Sequence, residues 1–331
     1  MRVLALAAVF LLSGCETISY YAQAINGHLN VIAAARPVDH WLADPGTSPQ
    51  LRARLETAQR IRQFASEKLA LPANASYASY ADVQRPFVVY NVYAAAEFAV
   101  DAKRECFPFA GCVSYRGFFS EADARRHAEG LRKQGYDVHI GGVPAYSTLG
   151  WFDDPLLSTF IGYSDSQLAR LVFHELAHQV VYAKDDTTFN ESFAVVVEEE
   201  GVRRWLEAES RGPELATFRA TQARKRELAQ RVEAARQHLK RVYESSVADE
   251  EKRRIKREEF ARLRAEFGTV VPAEPSNAFL VSVSVYTQLV PAFEQLLAES
   301  GSLEKFYQTV KELAAGEKPG AQLIGMSTTA R

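Results

Sequence analysis

Cysteine is scarce in this chain: three residues in 331, Cys15, Cys106 and Cys112. That number excludes a thiolate metal cluster, and their spacing contains no CxxC redox pair. Charge of one sign is lacking as well. Lys and Arg total 39 and Asp and Glu 41, a formal net charge of −2, so nothing global directs the protein to nucleic acid. There is no internal repeat. No apolar run after the first fifteen residues is long enough to cross a bilayer, which takes about 20 residues. What remains is a chain that is 47 % apolar and can bury a sizeable core, in one large domain or two modest ones.

The N-terminus has its own character. MRVLALAAVFLLSGC carries one cation, Arg2, then an apolar run from Val3 to Leu12, then small residues. This is the layout of a secretory signal over residues 1–14. Leu12-Ser13-Gly14-Cys15 resembles the lipobox of bacterial lipoproteins, in which the cysteine is lipidated and begins the mature chain. The other reading is an ordinary signal peptide with Cys15 incidental. Glu16 follows the cysteine, and the expectation is a lipid-anchored envelope protein, outer-membrane and facing the periplasm. With Cys15 lipidated, ECFPFAGC keeps an even pair in an oxidising compartment, so a Cys106–Cys112 disulfide is expected, with two buried free thiols as the alternative.

Periodicity predicts an α+β fold that is predominantly helical. Residues 16–36 and Leu51–Leu71 read as helices within an N-terminal helical segment, 15–72, broken at Pro37 and ADPGTSP. Residues 86–100, VSYRGFF (113–119) and YDVHIGGV (136–143) read as strands of a small mixed sheet, with a helix capped by Ser120 between the last two. Two consecutive helices follow, 165–183 and 189–208, and complete a core of 73–212. The part from 213 to 315 reads as helical and charged, with a break at SSVAD, one helix over Ala278–Ser300 and another over Leu303–Ala315. The tail, 316–331, reads as loose and flexible. In 224–260 both signs of charge surround apolar residues at helical spacing. This suggests a solvated hairpin packed by one face, or a contact with anionic lipid or cell-wall polymer.

The chemistry lies in FHELAHQVVYAKDDTTFNESFA, 173–194. His174 and His178 are four apart, so on a helix they lie about 40° apart on one face and can take two positions around Zn²⁺. Glu175 is rotated by about 100°, beside such a metal but not on it, where it can take a proton from water. An apolar helix burying two histidines and a glutamate without partners would be costly, which favours a metal over packing alone. The third ligand is Glu191, with twelve residues between it and His178, or Glu198, with nineteen between. Glu198 matches the longer spacer of thermolysin-like and aminopeptidase N-like enzymes. NESFA (190–194) resembles the segment that holds the third ligand in gluzincins, and a short loop back to metal height is geometrically allowed. Glu191 is therefore favoured, with Glu198, on the same helix face, in a supporting position.

Several segments together resemble a bacterial family of aminopeptidase-type lipoproteins of the gluzincin class: LSGC, SYYAQAINGHL, CFPFAGCVSYRGFF, AYSTLGWFDDPLL, FHELAHQ and FNESFA, most of residues 12–205. The resemblance implies a zincin-like core in which an HExxH helix follows the small sheet. It implies zinc as cofactor, His174, His178 and Glu191 as ligands, Glu175 as catalytic base, and a peptide as substrate. The oxyanion of such a reaction needs a second donor beside the metal. Tyr146 and Tyr286 are the candidates, with Tyr163 behind them, against simple core packing for each. AYSTLGW stands where such enzymes keep a substrate-pairing edge strand. Asp153, Asp154, Asp185 and Asp186 are candidates for an electronegative cleft entrance, or are merely solvated. The leading expectation is a zinc aminopeptidase of the envelope. The rivals are an envelope endopeptidase and a non-catalytic zinc-stabilised scaffold.

Overall fold

A computed structural model describes residues 19–107 and 111–329. The signal segment, and Cys15 with its expected lipid, lie outside the described residues. The described residues are 62 % helical with small sheets, an α+β architecture dominated by helices.

Two structural layers position everything else. The first is a helix pair, α5 (Asp165–Val180) and α6 (Thr187–Ala208), packed along their length and joined by a six-residue turn. Both are apolar on most sides, with Phe173, Leu176, Phe189, Phe193 and Val197 in the main core. Gly201 permits the close approach: a Cβ there would stand 2.7 Å from the Phe173 ring and 2.9 Å from Leu69. Helix α3 (Pro49–Lys68), capped by Ser48 and started by Pro49, covers the outer side of α5.

The second layer is a three-stranded antiparallel sheet with β3 (Val89–Ala96) in the middle, β6 (Arg116–Phe118) on one edge and β7 (Tyr136–Val143) on the other. Strand β3 is buried on both faces, and its alternation sorts the contacts. Tyr90, Val92 and Ala94 pack on Ala124, Ala128 and Leu131 of α4 (Glu121–Lys133). Tyr93 and Ala95 pack on Ala278, Val281 and Val285 of α9 (Asn277–Thr287). Helix α4 is capped by Ser120 and is followed by Gly135 at φ +85°, as the sequence leads one to expect. A second small sheet joins residues 36–37, 79–81 and 156–157. The single strand expected over 113–119 is instead divided between β5 (Gly111–Val113) and β6, split at Ser114-Tyr115. Strand β5 pairs antiparallel with β4 (Glu105–Phe107), and Cys106 and Cys112 are register partners joined by a disulfide.

The C-terminal helices wrap back on both layers. Helices α7 (Gly212–Glu244) and α8 (Asp249–Phe267) form a hairpin with one buried face, Val232, Ala235, Leu239, Phe260 and Leu263, seated on Phe279 and Leu280 of α9. Arg253 reaches Glu97 at 2.7 Å and Lys256 reaches Asp137 at 2.6 Å, tying the hairpin to the sheet. The single helix expected over 278–300 is instead two, α9 and α10 (Val290–Ser300). Pro291 sits in the first turn of α10, where continuing α9 would lose a backbone bond and clash. The main core takes Leu215 from α7, Phe293 from α10 and Phe306 from α11 (Leu303–Ala314), so the chain from 213 onward does not stand apart from the α5–α6 pair. The tail expected to be loose carries helix α12 (Pro319–Thr329), anchored by buried Leu323 and by Gly320, whose N–H donates to Asp186 at 3.2 Å. Among the described residues no helix is long and apolar enough to cross a membrane.

Candidate metal centre

Helix α5 presents Arg170, His174 and His178 at successive i, i+4 positions, so all three point at α6. Helix α6 answers with Glu191, its fifth residue, and Glu198 two turns later. The turn between the helices is set by Asn190. Its Oδ1 accepts the Ala183 N–H at 2.7 Å and its Nδ2 donates to the Ala183 carbonyl at 2.8 Å. Asp186 caps α6 by accepting the Phe189 N–H at 3.0 Å. These bonds bring Glu191 back to the height of the histidines after only twelve residues.

The outcome is a buried triangle. His174 Nε2 and His178 Nε2 are 3.2 Å apart, and Glu191 Oε2 lies 3.3 Å from the first and 3.6 Å from the second. Ligands about 2.05 Å from a tetrahedral zinc stand about 3.3 Å from one another, so the three atoms match one face of a zinc tetrahedron. The donor set, two imidazoles and a carboxylate, is the one zinc takes in hydrolytic sites that leave the fourth position open. Among the described residues this is the one group of three such side chains with the geometry to hold a metal.

A supporting ring fixes the triangle. His174 Nδ1 donates to Glu198 Oε2 at 2.9 Å, and Arg170 Nη1 donates to both Glu198 oxygens at 3.0 Å. The Nδ1 proton is thereby committed, and Nε2 is the nitrogen that faces the triangle, its lone pair available to a metal once the ring gives up its second proton. Glu198 is thus not a fourth corner: it acts through His174. Tyr115 donates to the other oxygen of Glu191 at 3.4 Å. His178 Nδ1 has no such partner. Burial disfavours charge throughout, yet the pairings prevail. Glu191, beside both imidazoles, and Glu198, beside Arg170, are each held down to about 2, while hydrogen bonds to these carboxylates push His174 up to about 10. Glu175 goes the other way: burial raises it, and the neighbouring histidines only partly offset this.

One face of the triangle opens into a cavity of about 430 Å³. Glu175 lines it, as do Tyr146, Tyr286, Tyr115 and Tyr182, with Tyr20 and Tyr21 forming the far wall. Tyr286 is close to the triangle, its ring centroid 6.4 Å from that of His174. It is hydrogen-bonded to Tyr93, and burial holds its hydroxyl well above the ordinary range, hence protonated. The Tyr146 hydroxyl is instead engaged by His28 Nδ1 at 2.8 Å. Tyr163 does not reach the cavity; it is over a third exposed, and its carbonyl accepts from Arg54. The expected edge strand at AYSTLGW is not formed. Strand β7 ends at Val143, and Ala145, Tyr146, Ser147 and Leu149 line the cavity as irregular chain. The acidic pairs do not form a cleft entrance either. Asp154 is buried and accepts the Thr148 N–H at 2.9 Å, Asp185 accepts the Cys112 N–H at 2.5 Å, and Asp186 is the α6 cap.

Arg170 and Asn190 are the residues the sequence reading missed. Arg170 had a signal, one turn before His174 on the same face; Asn190 had none beyond its place beside Glu191. No curated protein and no solved structure matches the chain. A family model does, over residues 19–322, and its description is "putative aminopeptidase". The chain belongs to that aminopeptidase family, and so to the peptidases.

Proposed function

We propose that this protein is a zinc-dependent peptidase of the bacterial envelope, an aminopeptidase in which Glu175 activates the attacking water. The observation that carries the reading is the buried triangle of His174, His178 and Glu191, with edges of 3.2, 3.3 and 3.6 Å and one face open to a cavity that Glu175 also lines. Zinc, when bound, supplies Lewis acidity toward the scissile carbonyl and acidifies water to a pKa near 7.

The chain's own residues do the rest. Glu175 Oε takes the proton of the attacking water and delivers it to the departing amine nitrogen, a transfer favoured by the raised affinity for protons that burial gives it. Tyr286, kept protonated, is the donor placed to stabilise the negative charge on the former carbonyl oxygen. Tyr146 lines the substrate side and shares its hydroxyl with His28. The lipobox-like LSGC ending in Cys15 supports an envelope location, lipid-anchored and facing the periplasm.

One observation favours an endopeptidase as the second reading. Among the described residues that line the cavity, the only carboxylates are Glu175 and Glu191, both used in the reaction, which leaves none to hold a free α-amine. One experiment tests both readings. The zinc-loaded protein and Glu175→Gln are assayed on a peptide with a free N-terminus and on its acetylated form. Glu175→Gln is expected to keep its metal and lose turnover by roughly 10²–10⁴-fold, and unchanged turnover would sink the mechanism. Cleavage of the free form alone supports the aminopeptidase; equal cleavage of both transfers the assignment to the endopeptidase.

A further inference from the structure

The helix that walls the cavity also carries an apolar stripe on its other side. Helix α1, residues 19–34, is seated by its inner face. Gln23 Oε1 accepts the Phe119 N–H at 3.2 Å, Tyr20 stacks on Phe107 with centroids 5.1 Å apart, and Gly27 lies so close to Phe119 that a Cβ would overlap the ring. The outer face is left with Ala22, Ile25, Leu29 and Ala33 in line, flanked by Asn26 and Asn30. Ile25 is 59 % exposed and Leu29 56 %. From Thr17 to Ala35 the chain holds no Asp, Glu, Lys or Arg, and burial keeps the single histidine, His28, toward its neutral form.

A second apolar element joins this stripe. Phe152, 54 % exposed, packs on His28 with ring centroids 4.7 Å apart, and beside it Trp151 is 81 % exposed. The turn that presents them is built, not slack. Thr148 Oγ1 accepts the Phe152 N–H at 3.1 Å, the Trp151 N–H donates to the Thr148 carbonyl at 3.1 Å, and Thr148 N–H is held by buried Asp154 at 2.9 Å. Leu149 at φ +57° and Gly150 at φ +81° turn the chain so that the indole faces outward. A braced turn that exposes Trp and Phe beside an uncharged, apolar helix face is a surface made for an amphipathic medium.

We propose that Ile25, Leu29, Trp151 and Phe152 form a docking surface for a phospholipid bilayer. The stripe has the width of an interfacial helix face, and Trp with Phe at its side is the side-chain choice of the headgroup boundary. Its place in the chain says which surface covers it: α1 begins four residues after Cys15, the residue expected to carry lipid. A lipid on Cys15 would tether the chain without fixing its orientation, and a protein-borne contact next to it orients the attachment. Because α1 holds Tyr20 and Tyr21 over the cavity, docking by its outer face sets the cavity beside the bilayer. This inference does not depend on the metal or on the reaction.

The test uses unlipidated chain beginning at Glu16, which keeps every element of the described fold, with a cooperative thermal transition as the folding control. Of the three tryptophans Trp205 is buried, Trp41 is partly buried and packed against the core, and Trp151 is open, so the emission change reports on Trp151. Adding vesicles of phosphatidylethanolamine and phosphatidylglycerol is expected to shift the emission to the blue, and brominated acyl chains to quench it. The Ile25→Asn/Leu29→Asn double variant should partition roughly a hundredfold more weakly. A wild-type spectrum unmoved by vesicles, or an equal shift in the double variant, would overturn the proposal. So would a blue shift that grows with protein concentration in the absence of lipid, which would make the surface a contact between copies of the chain.

Discussion

Glu198 accepts the Nδ1 proton of His174 at 2.9 Å, and Glu191 stands 3.3 Å from the opposite nitrogen of the same ring. The two carboxylates, seven residues apart on one helix face, therefore have different places: one orients the imidazole, the other stands with it in the candidate metal triangle. Metal content separates them. Wild type is expected to bind one zinc per chain and Glu191→Ala to lose it. Glu198→Gln, which keeps an acceptor for His174, should bind one zinc with about 10–100-fold lower affinity. Zinc content and competition with a chelator provide the measurement, and equal loss in both variants would contradict the division of labour.

Asn190 makes two buried hydrogen bonds to Ala183 that close the turn between the two helices of the candidate metal site. Asn190→Ala leaves both backbone groups of Ala183 without partners. We expect a loss of about 2–4 kcal/mol in denaturant unfolding of the zinc-free protein, together with weaker zinc binding. A variant as stable as wild type would mean that the turn is held by other contacts.

Tyr286 and Tyr146 differ in where their hydroxyls are spent. Tyr286→Phe should lower kcat by about 10²-fold with little change in KM, because it removes a donor needed only as charge develops. Tyr146→Phe, which removes the bond to His28, should cost less than about tenfold. Steady-state kinetics on one peptide substrate decides, and the reverse order would move the donor to Tyr146.

Asp154 offers a pH test away from the ligands. Burial raises its carboxyl from 3.8 to about 6, hydrogen bonds from Thr148 offset only part of this, and its Oδ1 is buried with no partner. The folded state thus holds this proton more tightly than the unfolded one. Its stabilising contribution is complete below pH 3.8 and is lost as pH rises through about 6. The shift of about two units corresponds to roughly 3 kcal/mol at most. Asp154→Asn should flatten the difference in unfolding free energy between about pH 4 and 7 and match or exceed wild type at the upper end. A parallel pair of curves would contradict the raised carboxyl.

Part of this organisation was legible in residue order because its causes are local. The i, i+4 spacing of His174 and His178 places two imidazoles on one face of any helix that forms there. Ser120 and Gly135 mark the ends of α4 through capping, and Glu198 falls on the face of Glu191 by helical period alone. The α+β, mostly helical class followed from periodicities of the same kind.

What residue order left open was decided by contacts between distant segments. Whether Glu191 or Glu198 faces the histidines depends on how sharply the chain turns after Val180, and the bonds of Asn190 to Ala183 set that. Pro291 divided what apolar content alone reads as one helix, and burial of Leu323 held as helix a tail that reads as loose. The edge strand at AYSTLGW failed because Thr148 and Asp154 commit that segment to a braced turn. Tyr286 rather than Tyr163 reached the cavity because α9 packs on β3 beside α6. The sequence by itself determined which chemistry the α5 helix can do. Only tertiary packing decided which side chains complete it, because hydrogen bonds and close contacts between segments far apart in the chain have no local period to read.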